Sequence, residues 1–377
     1  MSGAALRDDY LARVARLAPF VAAYRVAIEQ ERRLPAPLFD AIVELGLTRL
    51  WLPRAFGGPE LPPLDFMDVV EAASALDGSV GWVIGNGAGM SRVAGYLLAA
   101  TAQKWFADPR AFVVSATGAV GDAAPVPGGY RVTGKWPFAS GIHHATHAMG
   151  VCRRADDPQV LLWCYFPIGD VHVIDDWNVS GLRGTGSCDF TANDVFVPDA
   201  HAHPFPELVP TQPGIVYRLP GYMVLSWTVA VVPLGIARAA MDAFVELAAR
   251  KVRFGTGVSL RERETVQAAF GHAQALHSAA RLFLADAMRA LEAEGAESDI
   301  ETRARFRMAC TLAGETASRI VEMLCSAVGA ASIQESGVLA RCQRDVQATS
   351  RHIAMSPNNY IFGGRIGLGL DAGTARI

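Results

Sequence analysis

Charge is scarce in this sequence. Lys, Arg, Asp and Glu make up 19% of its 377 residues against 51% hydrophobic, and the formal net charge is −3. No long basic run breaks that balance, so nucleic-acid binding through an electrostatic footprint is excluded. So little charge leaves much apolar surface to cover. Burial between subunits is one outlet, so a homo-oligomer is expected. Cysteine is limited to Cys152, Cys164, Cys188, Cys310, Cys325 and Cys342. None forms a C-x-x-C pair, which argues against a zinc site or a disulfide framework and for reduced thiols in the cytoplasm. Met1–Arg16 holds Asp8 and Asp9 and lacks an apolar leader, so no signal peptide is expected. The most apolar stretch, Met223–Ile236, falls short of a membrane span and contains Trp227 and Pro233; it reads as a buried helix.

What remains is a chain of three textures. Up to about Asp108 the pattern is helical. Pro35 and Pro37 sit where a helix can start, Leu38, Ile42 and Leu45 share one face, and Gly46 stops it. A second helix spans Asp65–Leu76, and Ser79 is positioned to cap a third that continues to Leu98. From Phe112 the texture is β. Strands are predicted at Phe112–Val114, Tyr130–Thr133 after the Pro127-Gly128-Gly129 turn, Val160–Phe166 and Asp189–Val197. Beyond Leu219, long periodic segments cover 221–251, 260–293, 300–329 and 337–354 and predict an antiparallel bundle. The expected fold is α+β: a helical domain over 1–109, a barrel-like β domain over 110–215 and a four-helix bundle over 216–377.

Two local patterns invite readings that do not hold. Gly85-Asn86-Gly87-Ala88-Gly89 imitates a phosphate loop, but no strand precedes it, so a dinucleotide fingerprint is rejected. His143, His144 and His147 have metal-like spacing, but with no acidic companion nearby in sequence no metal is assigned. His143 is kept as a pocket-lining candidate. Trp82 and Asn86 are candidates to face a substrate.

Three segments carry a resemblance. The first is Gly134-Lys135-Trp136-Pro137-Phe138-Ala139-Ser140-Gly141, preceded by Val114-Ser115-Ala116-Thr117-Gly118. The second is Gly181-Leu182-Arg183-Gly184-Thr185-Gly186-Ser187, followed by Asp194-Val195-Phe196-Val197-Pro198. The third comprises Pro233-Leu234-Gly235-Ile236, Arg253-Phe254-Gly255, Arg341 and Arg344-Asp345. Together, from about residue 20 to 355, they resemble the acyl-CoA dehydrogenases. That family's dehydrogenases need a carboxylate base, and the two positions where it sits fall here on Leu225 and Ile353. The pattern of Arg344-Asp345 followed by His352 resembles instead the flavin-dependent monooxygenases built on the same fold. These are the oxygenase components of two-component systems, which take reduced flavin from a separate reductase.

The resemblance implies FAD or FMN bound by Ser115, Thr117, Trp136, Phe138, Ser140, Arg253 and Phe254. It implies Ser140 near flavin N5 and His352 near the oxygen of a C4a-(hydro)peroxide, the two converging on one flavin as catalytic residues. The substrate it implies is an apolar, aromatic small molecule. Each residue has a plainer reading: Ser140 as a strand-end serine, His352 as a satisfied histidine, Trp136 and Phe138 as packing. Where the dehydrogenases carry an arginine three residues before Phe-Gly this chain has Lys251, and the glycine pair near the adenine end of FAD is thinned to Gly329-Ala330. Looser flavin binding suits a cofactor that arrives reduced and leaves oxidised. The competing functions are a dehydrogenase with a displaced base, Glu246 or Glu335, and a flavin- or ligand-binding member without turnover.

Overall fold

The computed structural model describes residues 3–205, 209–252 and 257–374. Five helices come first: α1 Gly3–Glu31, α2 Ala36–Glu44, α3 Pro63–Leu76, α4 Gly78–Met90 and α5 Ala99–Phe106. Seven strands follow: β1 Val113–Val126, β2 Gly129–Trp136, β3 His147–Arg154, β4 Leu161–Pro167, β5 His172–Ile174, β6 Asp189–Pro198 and β7 Ala202–Phe205. The chain then returns to helix: α6 Gly221–Ala230, α7 Val232–Arg250, α8 Glu264–Glu294, α9 Ile300–Val328, α10 Val338–Thr349 and α11 Asn358–Gly367.

Local chemistry explains several boundaries, and some differ from expectation. Pro35 is the N-cap of α2, and Gly46 takes φ +70 just beyond its end. The cap of α4 is Asp77 rather than Ser79: its Oδ1 accepts from the N–H of Ser79 at 2.9 Å and of Val80 at 3.4 Å. A carboxylate reaching two orphan amides outcompetes a hydroxyl two residues later. α4 stops at Met90 and gives way to a tighter 3-10 turn over Ser91–Gly95. The expected 221–251 helix is interrupted at Val231, with Pro233 in the first turn of α7. α10 ends at Thr349, so His352 lies in the turn beyond it, and the unforeseen α11 follows.

By compactness the chain forms two units. One comprises Met1–Phe66, Trp82–Val179 and Arg183–Gly221; the other comprises Met67–Gly81, Ser180–Leu182 and Tyr222–Ile377. Residues 67–81 therefore group with the C-terminal helices, which a division by sequence order does not foresee. Gly235 is the physical reason: a Cβ there would lie 2.5 Å from Ser74 Cβ and from Glu71 O, so α7 and α3 meet backbone to backbone. Arg281 of α8 adds a bond to Glu71 at 2.6 Å.

In the first unit the strands form one mixed sheet, ordered β5-β6-β2-β1-β3-β4-β7, in which only β1 and β3 run parallel. Its core is built around Trp136 of β2. That ring stacks on Phe190 of β6 at 5.0 Å and lies 5.4 Å from Phe166 of β4. Strands so far apart in the order touch only because the sheet curls strongly onto one face, as a barrel-like domain must. Gly121, Gly134 and Gly150 clear the slot: a Cβ at any of them would come within 2.7 Å of the indole. In the second unit, α8 buries Val266, Ala273, His277, Ala280, Leu284, Met288 and Leu291, a stripe at three- and four-residue spacing. The helical stretch from Gly221 to Arg250 is apolar enough to cross a membrane, yet 78% of its most apolar window is buried inside the protein.

Candidate functional site

The first candidate cluster is the turn after β2. Phe138 adopts φ +65 and Gly141 φ +83. At Gly141 a Cβ would stand 2.9 Å from the Phe112 ring, so glycine is required there twice over. Phe138 is 64% exposed, an aromatic ring held outward by a backbone conformation that costs energy. Two backbone bonds tie this turn to the 3-10 turn Arg183–Thr185 and the start of β6: Gly141 N–H to Thr185 O at 2.8 Å and Ala139 N–H to Cys188 O at 3.1 Å. Between them sits Ser140. Its Oγ accepts from the indole N–H of Trp82 at 3.0 Å and shares a bond with Ser187 Oγ at 2.7 Å. Ser187 in turn bonds Thr185 Oγ1 at 2.6 Å. Ser187 and Thr185 are buried, whereas Ser140 is partly exposed. Asn86, one turn along α4, donates its amide to the Trp82 carbonyl at 3.1 Å.

β1 comes alongside this turn. Its pairing with β3 slips between Ala116 and Val120, and there Gly118 lies close enough that a Cβ would touch Pro137 at 3.2 Å. Gly118 is thus the point of β1 that meets the Pro137-Phe138 segment, with Ser115 and Thr117 on the strand just before it. Thr117 is exposed and Ser115 partly so. Hydroxyls at 115, 117 and 140 and an outward ring at 138 are groups of the kind a flavin needs: polar atoms for its heteroatom edge, an aromatic face for its ring. Trp136 does not join them. Its ring is fully buried in the sheet core, with its N–H committed to Val151 O at 2.8 Å, so it has no face left for a cofactor. Trp136 is the last residue of β2 and takes its inward side; the chain then leaves the strand, and the positive φ of Phe138 turns the second aromatic outward.

The three histidines after this turn have separate partners. His144 stacks on Phe39 at 4.1 Å and bonds Leu34 O at 2.8 Å, and His147 stacks on Trp105 at 3.9 Å. Both are held at a pKa of about 4 by burial. His143 behaves differently. Arg33 faces its Nδ1 at 3.4 Å and Cys188 Sγ its Nε2 at 3.4 Å. Asp175 joins them, its ligand atom within 4.8 Å of those of His143 and Cys188. An acidic companion therefore exists, 32 residues away in sequence and invisible to spacing. Arg32 is bonded to Asp175 at 3.2 Å, so two guanidiniums already oppose a cation there.

In the second unit, two of the sequence motifs meet. Gly181 is pressed against the backbone of Arg344, where a Cβ would lie 2.0 Å from its carbonyl oxygen. The next residue, Leu182, holds φ +53 and donates its N–H to buried Asp345 Oδ1 at 2.7 Å. Arg341 lies 3.5 Å from buried Asp77. The Arg-Asp signature is thus a clamp on the Gly-Leu-Arg segment. Seven residues after Asp345, His352 accepts from the N–H of Ala354 through Nδ1 at 3.2 Å. That bond places the proton of the neutral ring on Nε2. Desolvation lowers the His352 pKa to about 4. Ile353 is 67% exposed and Leu225 half-buried, and neither can accept a proton. Glu246 and Glu335 are both exposed, poor places for a base that must act away from water. Lys251 spends its ammonium on Val328 O at 2.7 Å. Arg253 and Phe254 lie outside the described residues.

Comparison with known proteins agrees with this architecture. The families described as "Acyl-CoA dehydrogenase, N-terminal domain" and "Acyl-CoA dehydrogenase, C-terminal domain" match residues 7–108 and 227–357. The chain is 32% identical to a "Pigment production hydroxylase" of a Rhodococcus sp., over 92% of each chain. It is 29% identical to the "FADH(2)-dependent resorcinol hydroxylase, oxygenase component" of a Rhizobium sp., over 91% of this chain and 90% of that one. The structure of XiaF from Streptomyces sp. in complex with FADH2 and glycerol superposes with a TM-score of 0.92 at 28% identity, covering 100% of this chain and 98% of XiaF. The chain belongs to the acyl-CoA dehydrogenase family, among its flavin-dependent monooxygenases.

Proposed function

We propose that this protein is the oxygenase component of a two-component system: it takes reduced FAD or FMN from a separate NAD(P)H-dependent reductase and oxygenates an apolar, aromatic small molecule. The observation that carries the reading is Ser140. Ser140 is partly exposed in the turn after β2, close in sequence to the outward ring of Phe138, and its hydroxyl is fixed by Trp82 and Ser187. The resorcinol hydroxylase and the FADH2 complex among its relatives support a reduced flavin, and resorcinol is aromatic.

When bound, the flavin supplies the activation of oxygen; the protein positions it and keeps water away. Ser140 is assigned a hydrogen bond to flavin N5. His352 is assigned to substrate or oxygen as a donor. With Nδ1 engaged by Ala354 and a pKa of about 4, its ring stays neutral with the proton on Nε2 throughout the neutral range. It would deprotonate a phenol only by giving up that backbone bond. Trp82, Asn86 and His143 remain the substrate-side candidates. The exposed Val245 on α7 and Leu282 on α8 support burial in a homo-oligomer, proposed to be a tetramer. Six free thiols suit a cytoplasmic location.

The test is oxygen accounting with a flavin reductase, NADH, flavin and a panel of phenols and fused aromatics. Wild type should couple oxygen to product. Ser140→Ala should bind flavin yet divert oxygen to hydrogen peroxide, cutting product per oxygen about tenfold, as expected for the loss of one ~1.4 kcal/mol hydrogen bond. His352→Ala should lower product at unchanged flavin affinity. Unchanged coupling in Ser140→Ala would remove Ser140 from the reading.

A further inference from the structure

Ser140 is one end of a chain of hydroxyls, and the arithmetic of that chain is restrictive. A serine hydroxyl has one proton to give and room to accept two. The indole of Trp82 is a donor only, so its bond to Ser140 Oγ at 3.0 Å fills one acceptor position permanently. Ser140 then has one proton and one acceptor position for two partners: Ser187 at 2.7 Å inside the protein and whatever faces it outside. If Ser140 donates inward to Ser187, it can only accept outward. If Ser187 donates to Ser140, it can only donate outward. Ser187 follows the same choice with Thr185 at 2.6 Å, so the three protons turn together. The geometry is held by the backbone bonds Ala139 N–H to Cys188 O and Gly141 N–H to Thr185 O, which flank Ser140 on both sides. Ser187 and Thr185 are buried, so water does not stand in for either partner.

We infer that Ser187 and Thr185 are positioning residues that let Ser140 serve both protonation states of the flavin. The inference rests on the reading that Ser140 faces N5. Reduced flavin carries a proton on N5 and needs an acceptor; oxidised flavin has a bare N5 and needs a donor. Rotation of three O–H bonds converts one arrangement into the other, with no proton leaving its oxygen and no heavy atom moving. Trp82 makes the response all-or-none by removing the spare lone pair through which Ser140 could otherwise do both.

The experiment is anaerobic binding of FMN and FAD, each oxidised and dithionite-reduced, to the full chain and four variants. In Ser187→Ala the Ser140 proton has no inward acceptor when reduced flavin is bound, whereas donation to oxidised flavin survives. Reduced flavin should weaken about tenfold relative to oxidised, the cost of one buried donor left unpaired. Thr185→Val should shift the ratio in the same direction by less, and Ser187→Thr should restore it. An indole N–H signal from Trp82 that moves between the oxidised and reduced complexes of wild type but not of Ser187→Ala is a second expected result. Equal weakening of both redox forms in Ser187→Ala, or no change in either, overturns the relay. Wild-type affinity for both redox forms in Ser140→Ala overturns the placement of Ser140 itself, which separates the two failures.

Discussion

Replacing Asp345 by alanine removes the acceptor that holds Leu182 in a left-handed conformation. The bond is short, 2.7 Å, both partners are buried, and Leu182 sits at φ +53, where a branched aliphatic residue resists staying. A hydrogen bond to a carboxylate contributes about 1.5–3 kcal/mol, and letting Leu182 relax toward negative φ lowers the opening cost further. Taking about 2 kcal/mol for local opening, the Leu182 amide should exchange with solvent roughly 30-fold faster. Asp345→Asn keeps a carbonyl oxygen for the amide and loses only the charge, so it should fall in between. Hydrogen exchange read by mass spectrometry on a peptide spanning 179–185 measures this locally, which suits a chain with two units better than a single melting temperature. If exchange in the alanine variant matches wild type, or if the asparagine variant is as fast as alanine, the clamp is not what holds this segment.

Two further outcomes follow. His144, His147, His203 and His352 are each held near pKa 4 against an ordinary value of 6.5, with burial the leading cause. Their folded-state pKa is depressed, so above pH 6.5 they add nothing to the pH dependence. As pH falls below 6.5 the unfolded chain takes up protons that the folded one refuses, and stability drops by up to about 1.4 kcal/mol per pH unit for each ring. Urea midpoints should decline from pH 7 to pH 5, before most carboxylates titrate, and a flat profile would contradict these burials. Gly150→Ala would place a Cβ 2.5 Å from the Trp136 ring, and overpacking of that kind costs about 1–3 kcal/mol; a lowered melting temperature with loss of near-ultraviolet indole dichroism is the expected signature.

Much of this molecule is legible from its residues, and the exceptions have causes. The α2 start at Pro35, the Pro127–Gly129 hairpin and the long α8 and α9 announce themselves by punctuation and period. β3 does not: Ala148–Cys152 is buried on both faces, so it lacks alternation, and the histidines before it point elsewhere. β5 and β7 are edge strands of three and four residues, too short to leave a period. Ser140 is visible as part of a motif, but its dependence on Ser187 and Trp82 is a matter of folding, 47 and 58 residues distant. Trp136 and Phe138 are equally aromatic on paper; only the end of β2 decides that one turns into the core and the other out. Asp175 reaches His143 across a chain separation no spacing rule bridges.

The seclusion of the thiols bears on how long such a catalyst survives. All six cysteines are buried and unpaired. Burial drives Cys310 and Cys342 to about 12 and raises Cys188 and Cys325 as well. Oxidants attack thiolates, and burial favours the protonated form of these four sulfurs. Each futile turnover of an oxygenase sets a molecule of oxidant loose beside its maker. A protein whose sulfur is locked away in protonated form can make that error many times without being consumed by it.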